Sequence, residues 1–248
     1  MLLQLSTWPE VEAYLASSRG IIMPIGSVEQ HGPTGLIGTD AICAETIAKG
    51  VGEAAGAMVG PTIAVGMAQH HMAFPGSMTL KPSTLMAVIR DYVLSLTEHG
   101  FERFLFVNGH GGNIATIRAA FYEVYAELRA SRGEAAPDVR MKLVSWWEDG
   151  RVGRVARELF GDREGSHATP GEISVTRFAY PDHGKSALLE PVVAPSGGFF
   201  DARDFRRRYP DGRIGSDPSL AEAEHGKRLY ETAVAAIAEN YREMLAET

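Results

Sequence analysis

The chain has 248 residues, 45% of them apolar and 22% charged, with a formal net charge of −7. That is enough chain for one large core, and the ordinary globular composition excludes a disordered tract. The acidic balance argues against a nucleic-acid or anionic-membrane partner, since Arg206-Arg207-Arg208 is too short a basic run to build a binding face.

One cysteine, Cys43, permits no internal disulfide. The opening MLLQLSTWPEVEAYL lacks the basic start and apolar core of a signal peptide. No apolar run reaches the roughly 18–20 residues of a membrane span. The expectation is a soluble cytoplasmic protein.

In chain order, GIIMPIGS (Gly20–Ser27) reads as a buried strand feeding a glycine-rich loop. DAICAETIAKGVGEAAG then reads as a helix, with Thr39 or Asp40 as its cap. AMVGPTIAVG (Ala57–Gly66) is a second strand, weakened by Pro61. After a loop, MAQHHMAFPGSMTLKPS, a helix capped by Ser83 carries Leu85, Ile89, Tyr92, Val93 and Leu96 on one face and ends at Gly100. FERFLFVNG (Phe101–Gly109) is the strongest strand, and a helix opens near Asn113. VRMKLVSWW is a further strand and Gly150–Phe160 a short helix. GEISVTRFAY (Gly171–Tyr180) fits strand or helix, and its preceding proline favours helix. Residues 181–217 read as irregular and Ser219–Ala246 as a long helix.

Alternating strands and helices predict an α/β fold, a mostly parallel sheet with helices on both faces, in one domain spanning 1–248. In such sheets, sites gather at the carboxyl ends of strands. Four polar loops fall there: the one with Glu29, His31 and Asp40, the one with His70 and His71, NGHGGN (Asn108–Asn113), and GSHATPGE (Gly165–Glu172). Five of the eight histidines lie in them. Carboxylates and imidazoles with no cysteine nearby suit Zn²⁺, Mn²⁺ or Fe²⁺. Plainer readings stand beside this one. Asp40 could serve only as a helix cap, Glu29 and His31 could be solvated loop residues, and NGHGGN could hold a phosphate, although it lacks the P-loop lysine. Of Trp146 and Trp147, neighbours on a strand end, one should face the core and one a pocket.

The ordered set GSVEQHGP…GTD, HH…FPGS, NGHGGN and SHATPGE resembles the creatininase (creatinine amidohydrolase) family over roughly Ile21 to Thr176. The resemblance implies a three-layer α/β/α fold, two divalent metal ions per subunit, and hydrolysis of a cyclic amide or related C–N bond of a small-molecule substrate. It also implies a homo-oligomer, a hexamer in creatininase itself. By motif, Glu29, His31, Asp40 and His110 match the metal ligands, with Asp40 bridging, His31 on one metal, and Glu29 with His110 on the other. Where creatininase carries a glutamate two residues after the NGH histidine, this chain has Gly112. The replacement carboxylate expected is Glu172, which would be both ligand and catalytic. His167 matches the proposed proton shuttle to the leaving nitrogen. His71, Ser77, Ser166 and Trp147 fall around the expected substrate pocket, with Trp146 the alternative to Trp147. A deformylase-like or peptide-trimming amidohydrolase is the neighbouring reading. A non-catalytic small-molecule-binding protein is the reading from another class, and it predicts no stoichiometric metal.

Overall fold

The computed structural model describes residues 1–247. Four parallel strands form one sheet in the order β2-β1-β3-β4: β1 (Gly20–Ile25), β2 (Met58–Val59), β3 (Arg103–Asn108) and β4 (Arg140–Ser145). All six residues of β1 are buried, as are five of the six in β3. Near-continuous apolar runs are what a strand covered on both faces requires.

Side-chain alternation divides the core in two. Ile22, Leu105 and Val107 face one side, where they meet α2 (Thr39–Ala55), α5 (Gly150–Phe160), α6 (Pro170–Ala179) and α8 (Ala223–Ala246). Ile21, Met23, Ile25, Phe104 and Phe106 face the other, against α1 (Trp8–Leu15), α3 (Pro82–Glu98) and α4 (Ile114–Arg132). This is the expected α/β/α layering. No helix among the described residues is long and apolar enough to cross a membrane.

Several local expectations change. The residue capping α2 is Gly38; Thr39 donates its hydroxyl to the Leu36 carbonyl, and Asp40 lies in the first turn with its carboxylate free for other work. Lys81 rather than Ser83 precedes α3, because Pro82 is well suited to the first helical position. Tyr92 lies at the exposed edge of that helix. The strand expected over 57–66 shrinks to Met58–Val59 plus a lone bridge from Ile63 to Ile25, since Pro61 cannot donate to the ladder. Residues 181–217 contain a short helix, α7 (Ala202–Arg208), capped by Asp201, which accepts the Asp204 N–H. The last helix opens at Ala223, after a turn of 3₁₀ helix at Pro218–Leu220.

The chain passes from β1 outward to β2, then returns past β1 to β3. The order therefore reverses between β1 and β3. In open α/β sheets the loops beyond the strand ends part at such a switch point and leave a crevice.

Candidate metal centre

The loops beyond β1 and β3 and the first turn of α2 meet in that crevice. Gly109, directly after β3, packs on the main chain of Asp40, where a Cβ would run into the Asp40 carbonyl. Glycine there lets the start of α2 settle between the two strand ends. Two asparagines tie the loops together. Asn108 accepts the His110 N–H (3.1 Å) and donates to the His110 carbonyl (2.8 Å). Asn113 donates to the Gly26 carbonyl and accepts the Met67 N–H, both at 2.9 Å.

The result is a pair of largely buried side-chain groups that share one carboxylate. His31, Asp40 and Glu172 offer ligand-type atoms all within 4.8 Å of one another, and so do Glu29, Asp40 and His110. Asp40 Oδ1 lies 3.0 Å from His31 Nε2, and Asp40 Oδ2 lies 3.1 Å from His110 Nδ1. Glu29 Oε2 is 3.2 Å from His110 Nε2, and Glu172 Oε1 is 3.8 Å from His31 Nε2. A third group joins Glu29, His31 and His167.

Backbone carbonyls orient the imidazoles. His31 Nδ1 donates to the Glu29 carbonyl at 3.1 Å, and His110 Nε2 to the Met67 carbonyl at 3.0 Å. In each neutral ring the other nitrogen then holds the lone pair, and both lone pairs face Asp40. Glu29 Oε1, His31 Nε2 and Asp40 Oδ2 are buried without a hydrogen-bond partner. With the rings neutral these are converging, unpartnered acceptors, costly in a protein interior, and a mixed nitrogen and oxygen set of this kind fits Zn²⁺, Mn²⁺ or Fe²⁺.

The electrostatics make the same demand for positive charge. Burial opposes charge on His31, but Asp40 and Glu172 outweigh it and lift its pKa to about 10. His110, also opposed by burial, is lifted to about 9 by Glu29 and Asp40. Burial pushes Asp40 up, yet His31 and His110 together hold it below the usual carboxylate range. Glu172 goes the other way: burial, with Asp40 and Glu29 nearby, raises it to about 7 against the pull of His31. Glu172 also completes a capping box on α6, accepting the Thr169 N–H (2.6 Å) while Thr169 Oγ1 accepts its own N–H (3.1 Å).

Position 112 has no room for a side chain, because a Cβ there would run into His110 Nε2 and lie 2.7 Å from the Met67 carbonyl oxygen. The carboxylate beside His31 and Asp40 comes instead from Glu172, at the start of α6.

A cavity of about 570 Å³ opens onto these groups. Asp40, His110, His167 and Glu172 line it, as do Ser166 and both tryptophans. Trp146 is buried against the core and Trp147 half-buried, with their rings T-shaped at 6.0 Å. Two other expected pocket residues lie behind the centre. His71 is buried with Nε2 3.0 Å from Glu29 Oε1, and the Ser77 hydroxyl accepts the Gln30 N–H at 3.1 Å. All five loop histidines converge: ring centroids lie 4.6 Å apart for His31 and His167, 4.4 Å for His71 and His167, and 5.9 Å for His70 and His110. Burial, together with His31 and His71, pushes the His167 pKa well below 6.5.

Two residues that were not singled out in the sequence also stand at the site. Gln30 sits between two candidate ligands, with its amide nitrogen 2.9 Å from both His71 Nδ1 and His167 Nε2. Glu164 lines the cavity with its pKa raised to about 7 by burial and by Glu172. The sequence signal for Gln30 was its place inside the E-x-H triplet; for Glu164 there was none.

A family model described as creatinine amidohydrolase (creatininase) matches residues 4–241. Creatinine amidohydrolase of Pseudomonas putida is 27% identical over 98% of this chain and 96% of its own length. A mycofactocin precursor peptide peptidase of Mycobacterium tuberculosis is 32% identical over 88% of this chain and 83% of its own. A solved structure of creatininase with Mn superposes with a TM-score of 0.83, at 27% identity and 99% coverage of both chains.

Proposed function

Because the chain belongs to the creatininase family, we propose that it is a dinuclear metal-dependent amidohydrolase that cleaves a C–N bond other than a peptide bond. The observation that carries this reading is the sharing of Asp40 between two largely buried ligand groups, with Asp40 Oδ2, Glu29 Oε1 and His31 Nε2 in no hydrogen bond. His31, Asp40 and Glu172 would hold one ion, and Glu29, Asp40 and His110 the other. Bound there, two divalent ions would lower the pKa of water and polarise an amide carbonyl.

The chain's own residues do the rest. The Glu29 and Met67 carbonyls aim the ligating imidazoles. His167, kept neutral by burial and its histidine neighbours, is the group placed to take a proton and return it to the leaving nitrogen. Trp146 and Trp147 form an apolar wall of the cavity that His167 lines.

The substrate proposed is a small cyclic amide such as creatinine or a relative. One observation favours the peptide-trimming alternative: about 570 Å³ falls within the range of cavities that bury drug-sized ligands, more space than a single five-membered ring needs. Protein loaded with Mn²⁺ or Zn²⁺ should be offered creatinine, small lactams, formamides and short peptides. Hydrolysis of one class, abolished by chelation and restored by metal, is expected. Hydrolysis undiminished by chelation, or none with any class, would overturn the proposal.

A further inference from the structure

Gln30 stands where proton placement in the centre is decided. Its amide nitrogen lies 2.9 Å from each of three atoms: His71 Nδ1, His167 Nε2 and the Gly212 carbonyl oxygen. Its amide oxygen accepts the Gly32 N–H at 2.9 Å, which fixes which end of the amide points where. His167 Nε2 is also 2.9 Å from the Gln30 backbone carbonyl.

An amide nitrogen has two hydrogens and no acceptor capacity. The Gly212 carbonyl can only accept, so it takes one of them. If the second went to His167 Nε2, that nitrogen would present a lone pair to the Gln30 carbonyl oxygen, and His71 Nδ1 would face a nitrogen with no hydrogen to give. Every group is satisfied in one assignment only: His71 Nδ1 accepts the second amide hydrogen, and His167 Nε2–H donates to the Gln30 carbonyl.

We infer that Gln30 is a positioning residue that sets the tautomers of His71 and His167. His71 is the Nε2–H form, with that hydrogen on the side of Glu29 Oε1, 3.0 Å away. His167 is also the Nε2–H form, so its lone pair is on Nδ1, the nitrogen 3.9 Å from Glu29 Oε1 that faces the ligand groups. Through the Gly212 carbonyl, the same amide anchors the segment around residue 212, which comes from a distant part of the chain. Gly212 is itself in the left-handed region (φ 89°), and a Cβ there would run into the Gln30 amide oxygen.

The role of His167 as proton carrier rests on the amidohydrolase reading; the tautomer assignment does not. In one proton transfer, His167 Nδ1 would accept a proton from the attacking water, keep the proton on Nε2, and pass the Nδ1 proton to the leaving nitrogen. The reverse tautomer would offer no base to the centre.

The test is ¹⁵N NMR of histidine-labelled protein, with metal removed by chelator and with Zn²⁺ restored, where Nδ1 and Nε2 shifts report which nitrogen is protonated. In the wild type, His71 and His167 should both be Nε2–H. Gln30→Glu keeps the shape but removes both donor hydrogens, so His71 Nδ1 should become a protonated donor, with Nε2 still facing Glu29. Gln30→Met, without donor or acceptor, should leave His71 a mixture of both forms. With any amide that proves to be a substrate, kcat should fall roughly a hundredfold, the scale of general acid–base assistance, with KM little changed. Wild-type protein with His71 or His167 as Nδ1–H, or Gln30→Glu with His71 Nδ1 still unprotonated, would overturn the inference. The wild-type spectrum suffices if neither variant folds. Failure to cleave any amide, with the tautomers as stated, would count against the proposed function and not against this assignment.

Discussion

The carbonyl oxygen of Glu29 accepts the Nδ1 hydrogen of His31 at 3.1 Å. One candidate ligand thus orients another through the backbone, which requires the two to be separated by a single residue in a loop free to curl. The E-x-H spacing is therefore mechanical as well as chemical. It turns the His31 Nε2 lone pair toward Asp40 and Glu172, while the Glu29 carboxylate reaches the opposite group.

If Glu172 completes the His31 side, Glu172→Gln should remove one ion per chain and spare the other. The activity loss should exceed the roughly 10–100-fold cost of losing an outer-shell partner. Metal analysis alongside kinetics checks this, and full metal occupancy in the variant would contradict it. Helix α6 should persist, because glutamine can serve in a capping box.

Gly112→Ala carries a different expectation. The new Cβ meets His110 Nε2 and crowds the Met67 carbonyl that orients that ring. The variant should lose metal from the Glu29–His110 side while the fold survives. Unaltered metal content with a normal circular dichroism spectrum would show that the loop can shift without cost.

Metal uptake should release protons. The pKa of His31 is about 10 and that of His110 about 9 in metal-free protein, both above the ordinary 6.5, so both rings are charged at neutral pH. Binding at pH 7.5 should expel about two protons per chain and strengthen as pH rises. Groups with raised pKa stabilise the fold fully below about pH 6.5 and lose that contribution as pH climbs through the folded values. The melting temperature of chelated protein should fall between about pH 6.5 and 10, and the metal-loaded form should resist that fall. Calorimetry in buffers of different ionisation enthalpy counts the protons; a count near zero would contradict the charged rings.

Phe104→Ala separates core from site. Phe104 is fully buried in the sheet face under α3 and α4. Its loss should cost about 3–5 kcal/mol, read from urea unfolding, and leave metal content unchanged.

Residues 101–109 and the helix carrying Leu85, Ile89, Val93 and Leu96 were legible because a Phe and Val run and a helical stripe leave few alternatives, and the observed β3 and α3 lie there. The four loops were legible through their chemistry: histidines and carboxylates in glycine-rich segments have little to bury. Tertiary placement was not. Asp40 could be read as only a helix cap, but Gly38 takes that position. Ser77 looked like a pocket residue, but its hydroxyl is spent on the Gln30 backbone. Gln30 carries no charge and binds no metal strongly, so beyond its place inside the E-x-H triplet nothing in one dimension marks it. Its importance comes from Gly212 arriving beside it from far along the chain. Helix α7 was hidden because its seven residues include four arginines and show too little apolar periodicity.

The most direct test of the central claim is metal content per chain, measured by elemental analysis on protein purified without chelators and compared with Asp40→Ala. A shared carboxylate predicts about two divalent ions in the wild type and a sharp fall in the variant, because both groups lose a ligand at once. No bound metal after incubation with Zn²⁺ or Mn²⁺, or undiminished metal in Asp40→Ala, would contradict the account.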